Sequence, residues 1–176
     1  DELEVRILKV KKTYAFGKIE NILKPSESRI EADCPYFSKC GGCVWRHISY
    51  ESELEIKTQR VIDAVERIGG ISDVEFKPII SNENTLRYRN KAQFPIGKDN
   101  NENTTIGFYA FHSHRIIDCS DCALQPEVFT KVVNIVRSFI EQTNADIYNE
   151  QTGKGRLRHL YIRMGEVTNE LMICLV

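Results

Sequence analysis

The sequence predicts an α+β fold, an antiparallel β-sheet domain with flanking helices and a cysteine-rich ligand loop. Three observations carry that expectation. Apolar and polar residues alternate with a period of two around Leu3–Ile7 and Arg87–Ile96, the pattern of half-buried strands. Residues 49–70 and 126–140 carry apolar side chains at helical spacing instead. Between the first strands and the first helix lies Cys34-Pro-Tyr-Phe-Ser-Lys-Cys40-Gly-Gly-Cys43, three thiols spaced C-x5-C-x2-C.

Residues 1–33 read as a short β-rich entry. Leu3, Val5 and Ile7 alternate with Glu4 and Arg6, and Gly17 in the following segment marks a bulge or bend. Pro25–Arg29 is a turn, and Arg29–Glu31 is one more short strand. The cysteine loop follows. Its C-x2-C turn lets Cys40 and Cys43 converge on one metal or cluster edge, and Gly41 and Gly42 let backbone N–H groups approach the bound sulfur. Three ligands close neither a tetrahedral zinc site nor a cubane cluster, so a fourth is needed. Cys119-Ser-Asp-Cys122 supplies the candidates. Six cysteines also permit disulfides. However, no apolar signal segment is seen, and Gly-Gly between close cysteines reads as a ligand turn. The spacing leaves an iron–sulfur cluster and an all-cysteine zinc site both open.

Trp45, Arg46 and His47 separate the loop from the first helix, and Trp45 reads as core packing. Ser49 is a suitable N-cap, Glu51 and Glu53 suit the first turn, and Gly69-Gly70 suits the stop. Leu54, Val61, Val65 and Ile68 share one face. Phe76–Ile80 is a short apolar, strand-like run. In Arg87–Ile96, Tyr88, Ala92, Phe94 and Ile96 point one way, and Arg87, Arg89, Lys91 and Gln93 the other. That basic stripe is either a solvated face or a phosphate contact.

Lys98–Asn103 is a polar loop, and Thr105–Ile117 is the return strand with the polar cluster His112-Ser-His114-Arg115. The cluster suits RNA contact or ordinary hydrogen bonding. Pro126 opens a second helix with Val128, Val132, Val136, Phe139 and Ile140 on its core face. Gly153–His159 is a basic turn whose Lys154, Arg156, Arg158 and His159, with Arg163, make a second basic cluster. Leu160–Met164 and Leu171–Val176 then form a hairpin turning near residues 166–169.

An apolar fraction of 41% and a charged fraction of 28% are those of a soluble globular protein, expected in the cytoplasm. No run approaches the length of a membrane span, and nothing points to an obligate protein partner. The net charge of −1 gives no overall electrostatic attraction to nucleic acid, so any RNA site must be a local patch.

Three stretches taken together, Cys34–Cys43, Tyr88-Arg-Asn-Lys91 and Ser113–Cys122, resemble the RNA (uracil-C5)-methyltransferases. More narrowly, they resemble the branch that modifies ribosomal RNA uridines with S-adenosylmethionine, and the resemblance extends over essentially the whole chain. It implies a four-iron, four-sulfur cluster on Cys34, Cys40, Cys43 and a distant cysteine ending an Ile-Asp-x-x-x-Cys segment. Here that segment is Ile117–Cys122, so Cys122 is the implied ligand and Cys119 the spare thiol.

The resemblance also implies that residues 1–33 are the C-terminal part of a small β-barrel of the TRAM type. Residues 34–176 are then a central, cluster-binding and RNA-facing α+β domain. It favours phosphate contact for Arg87, Arg89 and Lys91, with His114, Arg115, Arg156, Arg158 and His159 as further RNA-binding residues. Trp45 and Tyr109 are the expected stacking platforms, since Tyr88 shares the buried face of Phe94. In that family the cofactor turn and the nucleophilic cysteine lie in a C-terminal methyltransferase domain. The chain carries no Gly-x-Gly after a strand with an acid downstream, so no catalytic or S-adenosylmethionine-binding residue is expected in it. Its apolar last strand reads as the interior of a longer protein, and the chain alone is expected to be inactive.

Overall fold

In the computed structural model, which describes all residues 1–176, the β-rich entry is an antiparallel ribbon of β1 (Glu2–Val10) and β2 (Ala15–Lys24). Its register slips between Ile7, opposite Gly17, and Lys9, opposite Phe16, so Leu8 bulges where Gly17 led one to expect it. A Cβ on Gly17 would lie 2.4 Å from Val5 Cγ1. Two strands close no barrel, and Ile7, Phe16 and Leu23 remain exposed. Arg29 makes a single bridge to Ile48 in place of the third strand, and its guanidinium pairs with Asp1.

Helix α1 (Tyr50–Asp63) starts where the sequence places it, with Ser49 Oγ accepting the Ser52 N–H at 3.3 Å. It widens into a π-helical turn over Ala64–Ile68 and stops at Gly69 and Gly70, the latter at φ +65°. The expected apolar face is only half covered. Leu54 and Val65 are partly buried, whereas Val61 is exposed and Ile68 is 87% exposed. Phe76–Ile80 forms no strand; Pro78 removes a ladder donor from its middle.

The chain divides into two compact units: Asp1–Asp33 with Trp45–Ile79, and Cys34–Val44 with Ile80–Val176. The second unit holds a sheet of β3 (Lys91–Lys98), β4 (Thr104–Tyr109), β5 (Ile116–Asp118), β6 (His159–Met164) and β7 (Leu171–Leu175). Their order is β5-β4-β3-β6-β7, and every neighbouring pair is antiparallel. Pro95 is tolerated in the central strand because β3 pairs with β6 over Lys91–Pro95 and with β4 only from Ile96 onward.

Helix α2 (Glu127–Thr143) covers one sheet face. Phe129, Val132, Val133, Val136 and Ile140 pack against Ala92, Phe94, Ile96, Ile106, Leu160 and Ile162. Each large side chain buried this fully contributes about 1.5–3 kcal/mol. Phe139, expected in that core, faces outward, and Phe129 and Val133 take the inward positions. The helix ends on Asn144 in the left-handed region, φ +49°.

Two strand expectations change. The stripe Arg87–Ile96 becomes a strand only at Lys91, because Arg87 sits at φ +56° and breaks the alternation. Tyr88 is therefore 48% exposed rather than buried beside Phe94. The single return strand Thr105–Ile117 folds back on itself as the β4–β5 hairpin, with Tyr109 opposite Ile116 and His112 at φ +51° in its tip.

Gly107 is the tightest point of that hairpin, since a Cβ there would lie 1.9 Å from the Ile117 carbonyl oxygen. Gly107→Ala should destabilise the second unit by about 3 kcal/mol or more, seen as a fall in the chemical-denaturation midpoint. An unchanged midpoint would show that the hairpin yields freely.

Candidate cysteine centre and nucleic-acid interface

The cysteine loop turns on itself first. Phe37 N–H donates to Cys34 O at 3.1 Å and Cys40 N–H to Tyr36 O at 2.7 Å. It then docks on the hairpin: Gly41 N–H donates to Tyr109 O at 2.9 Å, and Cys40 bridges Ala110. A Cβ on Gly41 would come within 3.1 Å of Phe111 N, Phe111 Cα and Tyr109 O, so only glycine fits without displacement. Tyr36 Oη lies 3.4 Å from Ser120 Oγ, a second tie between the loop and Cys119–Cys122.

The other half of the site is held by Asp118. Its Oδ1 accepts the Ile106 N–H at 2.9 Å and Arg137 Nη2 at 2.6 Å, while Ile117 is buried. The Ile-Asp pair therefore fixes the strand from which Cys119–Cys122 departs. Cys119 is 3% exposed, whereas Cys34, Cys40, Cys43 and Cys122 are half-buried. Burial pushes the Cys119 thiol far up, and Cys122, Cys40 and Cys34 add to it. Burial likewise raises Cys122, against a backbone hydrogen bond from Leu124 and the nearby charge of Arg89.

Gly42 N–H donates to Cys40 Sγ at 3.3 Å, the backbone-to-sulfur approach expected of the glycines. Cys34, Cys40 and Cys122 thus all lie within electrostatic reach of the buried Cys119. Nowhere do three Cys, His, Asp or Glu side chains converge on one point as they would around a single ion. A set of cysteine sulfurs is chemically suited to a soft cation or cluster, which binds them as thiolates.

The sequence-predicted basic residues separate into different roles. Arg87 is structural: it pairs with both Asp121 oxygens, at 2.6 and 2.9 Å, and donates to Cys122 O and Gln125 O. This pairing holds the Asp121 carboxyl below the usual range. The Arg89 side chain is exposed and its N–H donates to Leu124 O at 2.8 Å. Lys91 on β3 faces Arg163 on β6, both exposed, and neither makes an ion pair. Like charges directly opposite each other destabilise a ladder unless an anion bridges them. Arg158 lies at the other end of β6, where its carbonyl accepts the Ile96 N–H. Five residue steps separate Ile96 from Lys91, about 16 Å along the strand. The stripe and the Arg156–His159 turn therefore form two patches, not one surface.

The second patch borders a cleft of about 900 Å³ lined in part by Tyr109, His114, Arg115, Tyr148, Glu150 and Arg158. Tyr109 and His114 rings lie 5.4 Å apart, and Arg158 sits 5.0 Å over the Tyr148 ring. Burial and the neighbouring Arg158 push His159 down toward its neutral form. Arg156 is exposed, and its N–H donates to Asp146 O at 3.0 Å. Sequence reasoning missed Tyr148 and Glu150, which stand outside any strand pattern. It also missed Phe111, whose ring is 67% exposed beside the docked loop. In the first unit Trp45 is half-buried, next to Arg46, which pairs with Asp33.

No family model matches the chain. It is 47% identical over its whole length to an uncharacterized RNA methyltransferase of Clostridium tetani, of which it spans 38%. It is 40% identical to one of Staphylococcus aureus and 38% identical to one of Synechocystis, spanning 39% and 38% of them. The chain thus covers well under half the length of these relatives. Its fold is similar to part of the tRNA (uracil-54, C5)-methyltransferase of Pyrococcus abyssi, solved with S-adenosyl-L-homocysteine. The TM-score is 0.66 at 25% identity, over 97% of this chain and 37% of that one. No helix is long and apolar enough to cross a membrane.

The two kinds of cation can be told apart. Arg87→Ala should lower stability by about 1–2 kcal/mol, because two carbonyls and a half-exposed carboxylate lose their donor. It should leave the salt dependence of RNA binding unchanged. Lys91→Ala should do the reverse, lowering the slope of log affinity against log salt by about one. A slope change with Arg87→Ala and none with Lys91→Ala would exchange their roles.

Proposed function

We propose that this chain is the central, cluster-holding and RNA-binding region of an S-adenosylmethionine-dependent RNA uracil-C5 methyltransferase that forms 5-methyluridine in ribosomal RNA. The observation that carries the uracil-C5 methyltransferase reading is the likeness, over 97% of the chain, to the solved tRNA (uracil-54, C5)-methyltransferase. Full-length similarity to several bacterial RNA methyltransferases supports it. The ribosomal substrate and the cluster rest on the resemblance carried by Cys34–Cys43, Tyr88–Lys91 and Ser113–Cys122.

In this reading Cys34, Cys40, Cys43 and Cys122 hold a four-iron, four-sulfur cluster. The C-x5-C-x2-C spacing with one distant cysteine supplies the four sulfur ligands such a cluster takes. Buried Cys119 is the spare thiol. The cluster's part is architectural: it joins the docked loop to Cys122 beside the exposed basic residues Arg89 and Lys91. Residues 1–33 serve as part of a TRAM-like module, which accords with a ribbon exposed on both faces. Residues 34–176 serve as the central domain. S-adenosylmethionine and the nucleophilic cysteine belong to a methyltransferase domain outside this chain. Lys91 and Arg163, with Arg89, Arg115 and Arg156, supply phosphate contacts; Phe111 and Tyr109 offer stacking surfaces for unpaired bases.

Anaerobic purification of the full-length protein should yield bound iron and acid-labile sulfide. Cys122→Ser should abolish the brown chromophore, and Cys119→Ser should retain it. Zinc in place of iron, or the opposite cysteine result, would overturn the cluster assignment.

The chain alone should transfer no labelled methyl from S-adenosylmethionine to a uridine-containing RNA, and transfer would refute its inert status. Cells lacking the full-length protein should lose 5-methyluridine from ribosomal RNA. Loss confined to transfer RNA would reassign the substrate.

A further inference from the structure

The cleft beside the β4–β5 hairpin carries chemistry that cluster binding does not use. A volume of about 900 Å³ falls in the range of small-molecule pockets. Its walls combine rings with the cations Arg115 and Arg158: the Tyr109 ring lies against the His114 imidazole, and Arg158 over Tyr148. That combination suits a nucleotide, whose base stacks on a ring while its phosphate meets the cations.

One group opposes the entry of a phosphate. Glu150 Oε2 lies 2.8 Å from His114 Nδ1, and its Oε1 lies 3.3 Å from Arg158 Nη2. A carboxylate in this position takes the two donors that a phosphate would take, since both anions accept from the same fork of N–H groups. Neither pair is locked in place. The His114 side chain is 82% exposed and that of Arg158 50%, so both contacts are screened by water and yield readily to a better anion.

We infer that this cleft takes one unpaired nucleotide of the RNA, and that Glu150 occupies its cationic wall until the incoming phosphate displaces it. The inference rests on the RNA-binding reading proposed above. Displacement frees His114 and Arg158 together, so the carboxylate acts as an internal competitor. It lowers affinity for polyanions in general and leaves the cleft to a chain that can also fill it with a base.

The test is a salt titration of binding to single-stranded oligouridylate by the full-length protein. Glu150→Gln should tighten binding about three- to tenfold and steepen the salt slope by about one. Glu166→Gln, which removes an equal charge on the exposed β6–β7 turn, should change the slope little. Arg158→Ala should weaken binding, and in the double variant the gain from Glu150→Gln should vanish. If Glu150→Gln matches Glu166→Gln, or binds more weakly than the unsubstituted protein, the cleft assignment is overturned while RNA binding stands. If the unsubstituted protein does not bind the oligonucleotide, the RNA-binding reading itself falls, and this one with it.

Discussion

One close backbone contact joins the cysteine loop to the β4–β5 hairpin. Gly41 lies against Tyr109 and Phe111 so closely that a single methyl group would intrude on three backbone atoms. Through that contact the loop Cys34–Cys43 is held against the hairpin whose outgoing strand leads to Cys119 and Cys122. The same hairpin supplies Tyr109 and His114 to the cleft. Asp118 and Arg137 then fix the hairpin to the sheet and to α2, which carries the core. The cysteine loop and the cleft thus both rest on one short turn.

Electrostatics divides the cations by what they face. Arg87, Arg137, Arg46 and Arg29 are each tied to an aspartate. These pairs brace turns and strand ends, and their charge is spent locally. Lys91 and Arg163 face one another without a carboxylate, so their field projects outward. A net charge of −1 conceals this division. Only the pairing pattern shows which cations are left without a carboxylate.

Much of the architecture was legible in the residues. Ser49 capped its helix, Gly17 marked a bulge, and the alternation of Ala92, Phe94 and Ile96 found the buried face of β3. The parts that were not legible share a physical cause. Arg87 adopts a left-handed backbone that its own side chain does not favour, held by bonds to Asp121 and two carbonyls far along the chain. Tertiary contacts of that kind leave no local signal, and the expected strand began four residues too early. The β4–β5 turn was hidden for a similar reason, since Phe111-His-Ser-His carries neither glycine nor proline. Phe139 fitted the helical period yet faces water, because Phe129 and Val133 already fill the space under α2. At the candidate site, the thiols and cations could be named from spacing. Glu150 could not, because its partners His114 and Arg158 reach it from separate segments.

The sequence order of the two units has a consequence for biosynthesis. The loop Cys34–Val44 belongs to the second unit but is made before Trp45–Ile79, which belongs to the first. At ribosomal speeds of about 5–20 residues per second, roughly 4–16 s pass between synthesis of Cys43 and of Cys122. For most of that interval the loop's three thiols lack the hairpin on which the loop docks. The nascent chain therefore passes through a stage in which the loop cysteines have nothing to dock against. Docking of the loop is a late event, governed by the arrival of the hairpin and not by the emergence of the loop.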